Sequence, residues 1–431
     1  MIRAHHIHSF VGRLSKFIGP GYIVAVGYLD PGNWATDLAA GSQFGYRLLF
    51  VIFISNLMAI LLQSLCVRLG VITGFDLAQA CTKHFSRPVS IVLYILCEIA
   101  IIATDMAELI GSAIALKLLF GVPMIWGVAI TSLDVMIILI AWNSKGSKIF
   151  EFLTFCLVMG VAGCMFAVLG QSKPNMGDAL LGFIPNGVIV EKNAIFSAIS
   201  IIGATVMPHN LYLHSHLVQA RALLEDTDSD NKSTNQLISY KNSQRTSRRA
   251  EIPQILLMTN LDSVIALMFA LLVNSSILMV SAANFYAAGE TEVSDISDAF
   301  YLLQDKLGGI YAIAFAVGLL LAAQSSSITG TMAGQIVMEG FMKFTIQPWA
   351  RRLLSRSLSL FPALICIYIY GENGLNDLLV MSQVILSFQL PFAIWPLIYF
   401  TSTKSLMTVH FDKEGAVSNP EIERISSLTQ L

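Results

Sequence analysis

Apolar stretches of about twenty residues or more, the length that crosses a bilayer, recur along nearly the whole chain between short polar segments. They fall at 18–40, 47–69, 88–118, 124–142, 149–170, 194–220, 252–281, 309–339, 353–370 and 376–401. This pattern predicts ten membrane-spanning helices in an all-α polytopic membrane protein. Composition agrees: 55% of the 431 residues are hydrophobic and 13% charged, where soluble domains carry about 25% charged residues. The lipid bilayer is the expected surrounding, in a plasma membrane or an endomembrane, and no nucleic-acid partner is expected. Six cysteines (Cys66, Cys81, Cys97, Cys156, Cys164 and Cys366) lie in or beside apolar stretches without C-x-x-C spacing. They read as reduced and structural. No small-residue cleavage site precedes the polar break at Asp30, so a cleaved signal peptide is not expected.

Charge then assigns the sides. With the N-terminus in the cytoplasm and the helices alternating, cytoplasmic segments hold 21 of the 26 Lys and Arg. External segments hold Arg47, Lys117, Lys173, Lys192 and Lys306. That asymmetry follows the positive-inside rule and puts the N-terminus (1–17) and the tail (402–431) in the cytoplasm. The polar insertion at 222–251 is rich in Ser, Thr, Asn and charged residues. It is too polar to bury a core and reads as a disordered cytoplasmic loop.

Two spans carry residues that a membrane helix tolerates poorly. The first contains Asp30-Pro31-Gly32-Asn33 and the sixth Met207-Pro208-His209-Asn210, each with a Pro-x-Asn core. Proline removes a backbone donor and breaks the helix, and broken backbone at membrane depth is tolerated where protein or a cavity surrounds it. Ten helices divide into two groups of five, 18–170 and 194–401, each opening on its broken helix. Five is odd, so the second group crosses the membrane upside down. The expected architecture is a 5+5 inverted repeat with a binding site where the two breaks meet.

A charge at the centre of a membrane helix costs roughly 2.5–3.5 kcal/mol on insertion scales, so Asp30 needs a role. In one reading its carboxylate caps the free N–H groups of the second half-helix. In the other it binds a cation together with the Asn33 amide oxygen, the Ala204 carbonyl and the Met207 thioether. Hard Mg²⁺ and Ca²⁺ gain little from sulfur, whereas softer transition-metal ions accept it. One Asp, one Asn, one carbonyl and one Met describe a weak, reversible site for Mn²⁺, Fe²⁺, Co²⁺ or Cd²⁺. In helix 10, Gln383 and Gln389 are each placed either to complete that site or to hydrogen-bond a neighbouring helix. Asn56 and Asn274 are further polar residues inside spans.

Other charges lie apart from the breaks. On helix 3, Glu98, Asp105 and Glu108 fall within roughly 80° of one face. His209 and His214 follow Met207 on helix 6, and Arg351, Arg352 and Arg356 open helix 9. Two readings stand for these groups. Either the arginines pair with helix 3 acids or lipid headgroups as structural contacts, or acids and arginines form a proton route separate from the metal's. His209 fits both a proton carrier and a metal ligand. No H-E-x-x-H, no G-x-S-x-G and no second catalytic aspartate motif occurs, which argues against an intramembrane enzyme. No resident cofactor is expected.

The stretches "GPGYIVAVGYLDPGNWATDLAAGSQFGY", "ATDMAEL", "GATVMPHNLYLHS", "WARRLLSR" and "SQVILSFQLPFA" resemble the Nramp (natural resistance-associated macrophage protein) family of divalent metal transporters, in its Smf/DMT branch. The resemblance spans nearly the whole chain. It implies a LeuT-type fold and proton-coupled import of Mn²⁺ or Fe²⁺ into the cytoplasm by alternating access, with Co²⁺, Cd²⁺ and Zn²⁺ as further substrates. It implies metal ligation by Asp30, Asn33, the Ala204 carbonyl and Met207, joined by Gln383 in occluded states. Proton-linked roles carry over to Asp30, Asp105, Glu108 and His209, with the helix 9 arginines as neighbours. Relatives that move Mg²⁺ or Al³⁺ lack the methionine found here at Met207. Thr205 departs from the family's usual aliphatic residue. Many members have an eleventh or twelfth helix, and the 5+5 core is expected to transport without them. Two alternatives remain. A sodium-coupled organic-solute symporter of the same fold would not need Met207 opposite Asp30, and a non-transporting metal sensor could dispense with the helix 3 acids.

Overall fold

Proline and glycine divide the apolar runs into the elements of the computed structural model, which describes residues 19–131, 147–229, 237–291, 293, 295–343, 346–371 and 374–408. Helix α1 comes in two pieces, Pro20–Gly27 and Pro31–Phe44, and a 3₁₀ turn (Gly45–Leu48) leads into α2, Leu49–Thr73. Then follow α3 (Arg87–Phe120), α4, which starts at 124 and is described to 131, and α5 (Ser147–Ser172). Helix α6 is again in two pieces, Ala194–Thr205 and Pro208–Ser229. The rest are α7 (Leu237–Asn284), α8 (Gly309–Met342), α9 (Pro348–Tyr370) and α10 (Gly374–Ser402). Among the described residues there is no strand, and eight helical runs are long and apolar enough to cross a membrane. One of these, Pro31–Thr73, merges the second piece of α1 with α2. Most of the predicted fourth span, the 1–17 segment and the tail beyond 408 lie outside the described residues. Leu61, Phe361 and Phe388 are among many large apolar side chains that face outward, a belt suited to lipid.

Both breaks fall at the predicted prolines. Pro31 and Pro208 each open a half-helix, where a missing N–H costs no intrahelical bond. Asp30 before Pro31 is extended (φ −68°, ψ 164°), the conformation that a following proline favours. Val206 leaves the helix at φ −106°, ψ 87°. Each proline also removes the donor that would have served the carbonyl four residues upstream. In α1 that carbonyl belongs to Gly27, and in α6 to Ala204.

The packing carries a pseudo-symmetry. Helix α8 lies along α3 and α5, and α10 lies along the first half of α6 and α3. Helix α7 packs on both pieces of α1, while both pieces of α6 pack on α2. Replacing each helix by the one five further on turns the α5–α8 contact into α10–α3 and α1–α7 into α6–α2. All four contacts are present, as a repeat of five requires. Helix α10 approaches both breaks closely. A Cβ on Gly32 would lie 2.2 Å from Gln383 Nε2, and one on Gly203 would lie 1.9 Å from the Gln383 carbonyl oxygen. Neither position has room for a side chain.

Two features differ from the prediction. Three short helices, Leu77–His84, Met176–Gly182 and Ile296–Leu307, are too short to register as spans. The first opens with a capping box made by Asp76 and Gln79, which satisfies two free backbone donors at its start. The second difference corrects the loop at 222–251. Helix α6 continues to Ser229 and α7 begins at Leu237, so the polar segment is helical on both sides of 230–236, which lie outside the described residues. Its Ala, Leu, Gln, Lys and Arg residues are good helix formers, and polarity opposes burial without opposing a helix. Pro253, inside α7, marks where polar helix gives way to apolar span.

Candidate metal site

The two oxygens of Asp30 have different surroundings. Oδ1 accepts from the Asn33 backbone N–H (2.9 Å) and from Asn33 Nδ2 (2.6 Å), the capping role that suits an aspartate ahead of a helix. Oδ2 has no hydrogen-bond partner. The capping reading therefore accounts for one oxygen and not for the other. Asn33 Nδ2 also reaches the carbonyl oxygens of Tyr28 and Ala204, both at 3.1 Å. Those contacts turn the amide nitrogen to the backbone and leave Asn33 Oδ1 without a partner. Asn274 Nδ2 donates to the same Tyr28 carbonyl (2.9 Å), tying the first break to α7.

The carbonyl of Ala204 is the one freed by Pro208, so the asparagine of the first break reads the backbone opening of the second. The counterpart holds by position: Asn210 sits against Gly27, where a Cβ would come within 2.6 Å of its Nδ2. Gln383 completes the ring from α10. Its amide and Asp30 Oδ2 share the space above Gly32, and its Nε2 donates to Ser382 Oγ (2.9 Å) while Oε1 has no partner. Asp30, Asn33, Ala204, Met207 and Gln383 are all 0% exposed.

Three acceptor oxygens without donors thus gather at the junction of the breaks. A buried acceptor left unsatisfied costs about 1–3 kcal/mol, and a cation satisfies several at once. Among the described residues no group of three His, Cys, Asp or Glu could hold a metal. Any cation bound at this junction would rely mainly on neutral donors beside the Asp30 carboxylate.

The other charged residues gather at the junction of α3, α8 and α9. Arg352 pairs with Asp105 and with Glu108 Oε2 (3.3 Å), and Arg356 pairs with Glu108 Oε2 (3.3 Å) and the Asp105 carbonyl (2.9 Å). Both arginines also donate to Ser327 Oγ, and Ser326 donates to Glu108 Oε1 (2.9 Å). Nearer the start of α3, Arg351 pairs with Glu98 at 2.7 Å. Two buried carboxylates thus face two buried guanidiniums, the salt-bridge reading of these residues. The cluster lies near enough to the breaks for Glu108 to act electrostatically on Asp30 and Asp105 on His209. His209 Nδ1 has no partner.

His214 lies elsewhere. Its Nδ1 meets Gln63 Oε1 at 2.7 Å and its Nε2 meets Ser263 Oγ at 3.3 Å, while Gln63 Nε2 donates to Tyr28 Oη at 2.9 Å. Five residues after His209, it turns roughly 140° around the helix, away from the helix 3 acids with which sequence reasoning grouped it. Gln389 is only partly buried, so Gln383 is the glutamine at the breaks. Sequence reasoning passed over Asp37. This residue is 1% exposed and neither carboxylate oxygen has a partner. Its signal was available, since it lies seven residues after Asp30 on the same helical face. Ser326 and Ser327 carried no comparable signal.

Two broken helices meeting at a buried cluster of unpartnered oxygens, inside a pseudo-symmetric bundle, define an inverted-repeat membrane transporter. A family model described as natural resistance-associated macrophage protein-like matches residues 21–415. A divalent metal cation transporter MntH of Nostoc sp. is 52% identical over 408 residues, covering 94% of this chain and 87% of the relative. One from Mesorhizobium japonicum is 50% identical over 398 residues, covering 92% and 83%. Among solved structures, the Eremococcus coleocola manganese transporter superposes with a TM-score of 0.80 at 34% identity, covering 98% of this chain and 85% of that one. The nucleobase-cation-symport-1 family transporter Mhp1 shares the fold alone, with a TM-score of 0.57 at 15% identity. The chain belongs to the Nramp family.

Proposed function

We propose that this chain imports divalent transition-metal cations, Mn²⁺ foremost and Fe²⁺ with it, into the cytoplasm by proton-coupled alternating access. The observation that carries this reading is the trio of unpartnered, fully buried oxygens, Asp30 Oδ2, Asn33 Oδ1 and Gln383 Oε1, at breaks that also hold Met207. The names borne by the relatives point to the same class of substrate. Proton coupling is supported by buried Glu108 and Asp105 of α3, which act electrostatically on Asp30 and His209 and are paired with arginines of α9. The positive-inside asymmetry supports cytoplasmic termini, and the exchange symmetry of helix contacts supports repeats at 18–170 and 194–401.

The test is uptake into proteoliposomes that enclose a pH-sensitive dye, with Mn²⁺, Fe²⁺, Cd²⁺ and Mg²⁺ offered outside. The reading requires saturable Mn²⁺ uptake, internal acidification that accompanies it, and little Mg²⁺ uptake. Mn²⁺ entry without any change in internal pH would remove the coupling. Uptake that depends on Na⁺ and an organic solute would replace the whole reading.

A further inference from the structure

Asp37 is the carboxylate that the ligand ring and the α3–α9 cluster leave unused. It sits in the second piece of α1, two turns beyond Asp30 and on the order of 10 Å along the helix axis. Different neighbours occupy different edges of this piece. Trp34 stacks edge-on against Phe315 of α8 with ring centroids 5.0 Å apart, and Ser281 of α7 donates to the Leu38 carbonyl at 2.6 Å. Asp37 shares the edge of Asp30 and Asn33, which Trp34 borders, and Asn33 on it meets Ala204 of α6.

Burying a carboxylate with neither oxygen bonded is costly unless a counter-charge is supplied. The charged group that acts on Asp37 is Asp30, of the same sign. Among the described residues no ion pair gives Asp37 a balancing cation. A proton would occupy one of the two oxygens, whereas a divalent cation with its water engages both. In the orientation proposed above, this half of α1 runs from the ligand ring toward the external face, the side from which the metal comes.

We propose that Asp37 is a second carboxylate of the cation route, holding a divalent transition-metal cation transiently on the external side of Asp30. The inference rests on the transport reading proposed for this site. It makes helix α1 a two-station ladder, with the weaker station first and the fuller ligand set at the break.

The experiment measures initial rates of Mn²⁺ and Cd²⁺ uptake in proteoliposomes for wild type, Asp37→Asn, Asp37→Cys and Asp30→Asn. Asp37→Asn removes charge without removing a hydrogen bond, and size-exclusion chromatography in detergent checks that it folds. It should raise the Mn²⁺ KM by about ten-fold and leave the maximal rate close to wild type. Asp37→Cys should shift the KM ratio in favour of Cd²⁺ by about five-fold, because a thiolate prefers the softer ion. A wild-type KM in Asp37→Asn overturns the proposal, as does a fall in maximal rate alone or an unchanged Cd²⁺/Mn²⁺ ratio in Asp37→Cys. Asp30→Asn separates the two levels. Robust uptake by that variant defeats the underlying site, whereas lost uptake beside a wild-type Asp37→Asn defeats only the second station.

Discussion

Met207 is the donor that distinguishes the proposed ring from an ordinary oxygen site. Three amide or carboxylate oxygens and a carbonyl would suit Mg²⁺ or Ca²⁺, and the buried thioether tilts the balance toward softer ions. Met207→Ala should therefore keep Mn²⁺ uptake measurable while discrimination against Mg²⁺ falls roughly ten-fold, on the order of 1.4 kcal/mol. Competition of unlabelled Mg²⁺ and Ca²⁺ against Mn²⁺ uptake reads this directly, and unchanged competition would leave the sulfur without a role. The two breaks were legible in the sequence because Pro-x-Asn stands out in an apolar run and repeats. The Ala204 carbonyl follows from them by counting back four residues from Pro208. Asp37 was equally legible by helical phase but carries no proline to mark it. The pairing of Ser327 with two arginines could not be read, because serine is common in spans and its partners come from a helix 25 residues away.

At the scale of elements, the join between α3 and α9 depends on charge balance. Asp105 and Glu108 face Arg352 and Arg356 in a fully buried cluster, where isolated charges are far more costly than matched ones. Arg352→Met leaves one guanidinium for two carboxylates and should destabilise the protein by about 3–5 kcal/mol. Adding Asp105→Asn to it restores neutrality and should recover most of the thermal stability, measured by unfolding in detergent, without recovering proton-coupled uptake. A double variant as unstable as the single one would mean that packing, not charge, holds this join. The acids could be placed on one face of α3 from spacing alone, and the arginines on the facing end of α9. Which arginine meets which acid is set by packing against α8, which periodicity does not encode. His214 was grouped with the acids by its nearness in sequence to His209, and a five-residue step carried it to Gln63 and Ser263 instead.

For the molecule as a whole, alternating access requires that contacts closing each face be weak enough to open. On the proposed cytoplasmic face, the helix Leu77–His84 docks on α6. Leu77 N–H donates to Ser215 Oγ (3.0 Å), Gln219 donates to the Gly74 carbonyl (2.7 Å), and His216 meets Asp76 at 3.0 Å. On the opposite face, Arg47 in the turn between α1 and α2 pairs with Glu191 in the segment joining the two repeats, and Asn186 donates to the Arg47 carbonyl at 2.9 Å. The Arg47–Glu191 side chains are 41% and 44% exposed, and pairs so exposed contribute about 0–1 kcal/mol. This contact, on the proposed external side, is thus easily undone. Making it permanent should stop the cycle. A protein carrying Arg47→Cys and Glu191→Cys together should take up Mn²⁺ near the wild-type rate when reduced, since the lost pair contributes little. A cleavable bifunctional thiol reagent should abolish uptake, and cleaving the linker should restore it. Either single variant treated alike should be unaffected, which controls for reaction at the native cysteines. If the cross-linked protein still turns over, the two loops do not separate during transport, and the opening of the external face has to be sought between other helices.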